Sequence, residues 1–439
     1  MLYLFYFLIG SLSLLIIATS SSTLAFGLMT WLVGGISIMS INHRYQLGSL
    51  KIFYISFCVY TIIAWIHYLD IINYHQWIFP DEMGYRNFFN WGATTQYDKI
   101  LKVLFNESEI TTFGYQNYIF YISSIGYAAQ QWFDGPNELL MLQVSILAGS
   151  LISIILYRTF SIYLNKRKAF NYVLAFIILS PICLYSTIFL RDIYVALIFC
   201  CAYLIVLKKY STSGLIKLIV LDLIVWGIRP ANGAFYLLFI FFYLYRRFHR
   251  YKFAGYATII STIVVVYISV STSLDSVSFH MDSYEELEST GSDLSKRVEA
   301  LPSPISDVIQ ILFVLFRPFP VVQNLISPVN IYVKFLNGIL PFAATFLWFI
   351  TSFSIFKWAI LKKLKSVSFI FALLFIISVL YMALNYKNFD PRRVMAGLPI
   401  PFLLFAIARE KLVSYKEKTR TMIEVIIIHI SIAITLLFH

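Results

Sequence analysis

Charge is what this sequence has least of. Asp, Glu, Lys and Arg make up 13% of its 439 residues and apolar types 59%, whereas a soluble domain carries about 25% charge to keep its surface wetted. That scarcity excludes an ordinary soluble protein. The apolar runs reach the roughly 20 residues that span a bilayer, so a polytopic membrane protein is expected. Cysteine is also scarce. Cys58, Cys183, Cys200 and Cys201 all fall inside apolar runs, which excludes a disulfide framework and a thiolate metal centre and leaves small core hydrophobes. GxxxxGK(S/T), HExxH and CxxC motifs are absent, removing any basis for an ATP-driven pump or a zinc protease. The carboxylates are too few for an all-protein metal cage, so no metal ligands are assigned.

Aromatics, by contrast, are abundant, with 40 Phe and 31 Tyr. Such rings populate the interfacial belts of a membrane protein, and alone they point to no cofactor. The first apolar segment, LYLFYFLIGSLSLLIIATS, lacks a basic leading region and is followed at once by TLAFGLMTWLVGGISIMSI, so it reads as a retained span rather than a signal peptide. The net charge of +12 comes from short basic clusters between apolar runs. Positive-inside topology accounts for that pattern, and nucleic acid is not expected as a partner.

The basic clusters are Arg44/Lys51, Lys166 to Lys168, Lys208/Lys209, Arg246 to Lys252, Lys357 to Lys365 and Arg409 to Arg420. If all are cytoplasmic, consecutive clusters are separated by an even number of crossings. Between Lys51 and Lys166 three apolar runs occur, so one does not cross. The middle one, QNYIFYISSIGYAAQQWF, is short and polar-studded, as a helix lying in the interface is. The expected fold is an all-α single integral membrane domain, 1–439, of about 13 transmembrane helices. They are 2–19, 23–42, 52–70, 138–163, 169–188, 192–207, 212–227, 232–245, 254–272, 331–355, 367–385, 394–408 and 422–438, with the N-terminus inside. Two long extracytoplasmic loops, 71–137 and 273–330, carry interfacial elements; in the second, DVIQILFVLFRPFP is the candidate.

Charged residues at span ends on the extracytoplasmic side are the functional candidates, because charge so near hydrocarbon is costly unless it faces a cavity or a partner. They are Asp81 and Glu82, Arg86, Arg191 and Asp192, Arg229, Arg317, and Arg392 and Arg393. Guanidinium groups grip phosphate oxygens bidentately. A carboxylate can act as general base toward an acceptor hydroxyl. Together they ask for glycosyl transfer from a lipid-linked donor: Asp81 or Glu82 as catalytic base, Arg191, Arg229, Arg317, Arg392 and Arg393 on phosphate, Arg86 and Asp192 in support. Each also has a plainer reading. The acids can cap a helix starting near Met83, Arg191 and Asp192 can be an ion pair at a span end, and the other arginines can bind headgroups. His75 and His280 are weaker acid/base candidates.

The order of these features resembles the GT-C superfamily of polytopic glycosyltransferases. The resemblance rests on the acidic external motif PDEMGYRNFFNWG, the aromatic stretch FGYQNYIFYISSIGYAAQQWFDG, the span ending FIILSPICLYSTIFLRD and the Arg-then-Pro run PRRVMAGLPIPFLLFA. Two spans, 2–42, precede the span that feeds the acidic loop. That order, with the size and the arginine-rich external loops, is most similar to the O-antigen and capsule repeat-unit polymerases. The resemblance implies a bacterial inner-membrane enzyme whose site faces the periplasm, with undecaprenyl-linked glycans as donor and acceptor. It also implies the bilayer and a chain-length regulator protein as partners, and no cofactor. The rivals are a monosaccharide transferase using an undecaprenyl-phosphate sugar, and a flippase or transporter, which would predict discontinuous helices in two related halves.

Overall fold

The computed structural model describes residues 19–74, 80–105, 115–248, 331–340, 369–384 and 391–412, and single positions at 260, 264, 302, 343, 344, 347 and 351. Among these the chain is helical, with no strand. The expected span 422–438, nearly all of 2–19, 254–272 and the loop 273–330, part of 331–355, and His75, His280 and Arg317 lie outside the described residues.

The elements, in order, are α1 (Ser21–Met39), α2 (His43–Tyr74), α3 (Pro80–Thr94), α4 (Tyr97–Leu104), α5 (Gln116–Trp132) and α6 (Glu138–Phe160). They continue as α7 (Lys166–Leu179), α8 (Pro181–Tyr185), α9 (Asp192–Leu207), α10 (Thr212–Trp226) and α11 (Pro230–Phe248). Beyond these come α12 (Phe369–Leu384), α13 (Pro391–Val394) and α14 (Pro399–Ile407). Among the described residues, α1, α2 and α6 are long and apolar enough to cross a membrane. They mark a membrane protein.

Local signals set many of the boundaries. Ser20 and Thr23 form a reciprocal capping box at the start of α1, and the side chains of Asn137, Asn165 and Ser211 accept from the amides of Leu140, Lys168 and Gly214. These caps satisfy donors that a helix N-terminus leaves open. Proline opens α3, α8, α11, α13 and α14, where its missing amide proton costs nothing. α6 is the hub, 89% buried over its most apolar stretch against 39% for α1 and 50% for α2. α2 packs along it, with Ser56 and Ser153 hydrogen-bonded at 2.9 Å in the interior, a contact worth about 1 kcal/mol between apolar helices.

Two expected spans are interrupted. The run 169–188 divides at Ser180–Pro181 into α7 and α8, because Ser180 is extended (φ −102°, ψ 167°) and Pro181 cannot donate to the preceding turn. The non-helical segment that follows, 186–190, is buried throughout. The run 394–408 likewise begins as α13, passes through the 3₁₀ turn Met395–Gly397 and resumes at Pro399 as α14. The run 116–132, expected to lie in the interface, is a single helix, α5, packed on α3. Their backbones touch: a Cβ added at Gly92 would lie 2.2 Å from the carbonyl of Ser123, and one at Gly126 would lie 2.2 Å from that of Phe89.

The contacts sort the bundle into two ends. At one, the α1/α2 turn meets the α6/α7 turn, with Tyr45 beside Lys166. Lys168 of α7 pairs with Glu410, and Ser211 before α10 bonds Tyr243 near the end of α11. This end gathers Arg44, Lys166, Arg167, Lys168, Lys208, Lys209, Arg247 and Arg409. At the other end, Asp134 accepts from the Ser21 and Ser22 amides at the start of α1 (2.8 and 3.0 Å). There too Asn117 of α5 donates to Ile224 near the end of α10 (3.1 Å), and His67 near the end of α2 reaches Thr187.

Candidate active site

The second end holds most of the charged candidates. α3 starts at Pro80, placing Asp81 and Glu82 in its first turn. Neighbours on a helix point about 100° apart, and the two acids part accordingly. Asp81 is 48% exposed and its Oδ2 accepts from Arg392 Nη1 of α13 at 2.6 Å. Glu82 is fully buried. Its Oε2 accepts from the Phe189 amide at 3.2 Å and lies 4.0 Å from His67 Nε2.

Glu82 belongs to a clamp on the irregular segment between α8 and α9. His67 Nδ1 donates to the Thr187 carbonyl at 3.2 Å, the Ser145 hydroxyl donates to the Ile188 carbonyl, and Glu82 holds the Phe189 amide. Three helices thus fix three consecutive residues of a buried non-helical segment, where only some backbone groups find local partners, as the Thr187 amide does at the Leu184 carbonyl (2.9 Å), and the rest of the polar demand must be met by side chains. The segment ends in Arg191. Its guanidinium stacks 4.1 Å from the centroid of the Tyr115 ring and donates to the Ile228 carbonyl at 3.3 Å, within electrostatic reach of Tyr85, Asp192, Tyr115 and Asp81.

Next to it, Arg229 Nη1 donates to Asp192 Oδ1 at 2.7 Å, with side chains 15% and 9% exposed. The ion pair at this span end is therefore Asp192 with Arg229, one helix over. Burial pushes the Tyr85 phenol up to about 12, Arg191 opposing and Asp192 and Asp81 reinforcing, so it remains a hydrogen-bond donor at working pH. Arg86 donates instead to Glu138 at 2.9 Å, both partly exposed.

Asp81, Arg191, Asp192, Arg229 and Arg392 are therefore brought together from α3, the α8/α9 segment, α9, the start of α11 and α13. No protein-family model, curated protein or solved structure matches this chain. The site is read from its own chemistry. Arg393 follows Arg392 within α13. Among the described residues no group of three or more His, Cys, Asp or Glu is placed to hold a metal.

The sequence reading placed Tyr85 in the acidic motif without giving it a role, and missed Tyr115 and His67. His67 carried a signal, being an ionisable residue inside the apolar run 52–70, where such residues are costly and functional by default. Tyr115 carried none, since Tyr is common throughout.

Proposed function

We propose that this chain is a bacterial inner-membrane glycosyltransferase of GT-C type that polymerises undecaprenyl-pyrophosphate-linked repeat units of a surface polysaccharide. The observation that carries the reading is the gathering of one exposed carboxylate, Asp81, with Arg191, Arg229 and Arg392 at the end opposite the basic clusters. Under the positive-inside rule the basic end is cytoplasmic and the mixed end faces the periplasm. Asp81 takes the proton of the acceptor hydroxyl as its oxygen bonds to the anomeric carbon. The bond from that carbon to the lipid pyrophosphate breaks, and the arginines stabilise the departing oxyanion. Incoming pyrophosphate draws Arg392 from Asp81, leaving the carboxylate to act.

About 13 spans complete this reading, with α5 lying along the outer surface. Its support is that both ends of the α5 region meet the same end of the bundle: Asn117 at the close of α10, Asp134 at the opening of α1. Reporter fusions should read inside after Asn165 and outside after Ser276; an outside signal at 165 removes the topology.

A specific observation favours a second reading, a flippase. The two interrupted segments, α7–α8 and α13–α14, both border the charged site, and broken helices around a polar site are how transporters bind substrate. The glycan of cells lacking the protein separates the readings. Caps of a single repeat unit indicate the polymerase, lipid-linked units accumulating without caps indicate the flippase, and a polymer missing one side sugar indicates a monosaccharide transferase.

A further inference from the structure

The basic end holds a cavity of about 590 Å³ between the start of α2 and the α6/α7 turn, lined by Arg44, Tyr45, Leu164, Lys166, Arg167 and Lys168 together with Ser161 and Asn165. That volume lies within the roughly 300–1,000 Å³ of small-molecule sites. The lining contains four cations and no carboxylate. Lys168 is compensated from outside the cavity by Glu410, which also accepts from Tyr172 at 2.8 Å. No carboxylate among the described residues pairs with Arg44, Lys166 or Arg167. Arg44 and Lys166 both lie 5.8 Å from the centroid of the Tyr45 ring, so two like charges are held beside one aromatic ring.

Positive-inside topology explains why cations occur at this end. It does not explain why they surround a cavity. Repulsion among them is relieved by an anion with several acceptor oxygens, which is the chemistry of a phosphate. The neighbourhood specifies its source. Leu164 is part of the lining, and Ile162, next to Ser161 of the lining, and Leu47, two residues beyond Tyr45, are exposed apolar side chains (44% and 36%). The walls are the start of α2, the turn that follows α6 and the start of α7, so the cavity opens at the ends of α2 and α6, two of the helices apolar enough to cross a membrane. A ligand seated here has its charge among the cations and hydrocarbon beside it.

We infer that this cavity binds the phosphate headgroup of an anionic phospholipid of the adjacent leaflet, each cation near the surface contributing electrostatic attraction. It is a structural lipid site, separate from the charged cluster at the other end and independent of the reading of that cluster.

The test uses the full chain in neutral detergent, with thermal unfolding followed as phosphatidylglycerol, phosphatidylcholine or inorganic phosphate is added. Phosphatidylglycerol should protect. The triple variant Arg44→Gln/Lys166→Gln/Arg167→Gln should need at least tenfold more phosphatidylglycerol for the same protection. Equal protection by phosphatidylcholine, full protection by inorganic phosphate, or an unchanged triple variant each overturns the proposal. The three side chains are exposed, so the variant should fold. If it does not, the wild type decides: protection by phosphatidylglycerol must weaken as salt rises, because exposed charges are screened, and protection indifferent to salt overturns the site.

Discussion

The two ends of this bundle use charge in opposite ways. At the mixed end, arginine is matched within the protein: Arg392 with Asp81, Arg229 with Asp192, Arg86 with Glu138. At the basic end, Arg44, Lys166 and Arg167 surround a cavity with no acid in its lining. An internally matched end keeps its cations in place while a ligand is absent and can exchange one partner for another during turnover. An unmatched end needs a permanent counter-charge from outside. On the functions proposed above, the difference is between a site that cycles and a site that stays filled.

The largest expected effect breaks the comparison at the mixed end. Asp81→Asn should cut polymer by about 100-fold to 10,000-fold, the usual cost of losing a general base. Glycan length on gels, at matched protein levels, reads it. Full-length glycan from Asp81→Asn, Glu82→Gln and their combination would end the base assignment. Lysine at 191, 229, 317, 392 or 393 keeps charge but loses the guanidinium fork, and charge-assisted bonds are worth about 1.5–3 kcal/mol. Near-normal activity in all five would remove the phosphate clamp.

Stability sharpens the contrast. Asp192→Asn strands the partly buried Arg229 and should cost on the order of 3 kcal/mol in a detergent melt, while Arg44→Gln at the exposed basic end should stay within about 0.5 kcal/mol. Equal effects would erase the distinction between the ends. Smaller again is the helix crossing under the site. Gly126→Ala drives a methyl against the Phe89 carbonyl and should cost about 1–3 kcal/mol. Gly84→Ala, which meets nothing within 4 Å, should be neutral or stabilise by about 0.5–1 kcal/mol.

The smallest effect is a pH dependence. Desolvation is the largest single influence on the Asp134 carboxyl and raises it, but the Ser22 and Ser21 amides and hydroxyls together outweigh it and hold the group at about 2, below its ordinary 3.8. A depressed carboxylate contributes fully above its unfolded value, so this tie is intact above about pH 4 and lost as pH falls toward 2. The melt of wild type relative to Asp134→Asn should therefore narrow between pH 5 and pH 2.5.

Much of the helical framework was legible. The expected spans 192–207 and 212–227 match α9 and α10 almost to the residue, because Lys208, Lys209 and Ser211 punctuate them. The bounds of the run 116–132 coincide with those of α5. Interruption was harder to read. Ser180–Pro181 sits in a run that is apolar on every side, where hydropathy averages over a break that only backbone geometry reveals. Nor could hydropathy separate Asp81 from Glu82. Their difference arises from where Pro80 starts the helix, which turns one acid toward Arg392 and the other toward His67 and the Phe189 amide. The convergence of Arg191, Arg229 and Arg392 depends on α9, α11 and α13 packing side by side, a tertiary fact that spacing along the chain does not encode.

The clamp on 187–189 also sets a clock. An amide outside any helix ordinarily trades its proton with solvent quickly, yet the Phe189 amide is bound by a carboxylate in the interior. Its exchange should be slow, on the scale of cooperative opening rather than of loop motion. A mass-spectrometric exchange time course of this one peptide would therefore report how often the segment that carries Arg191 lets go, without any substrate being present.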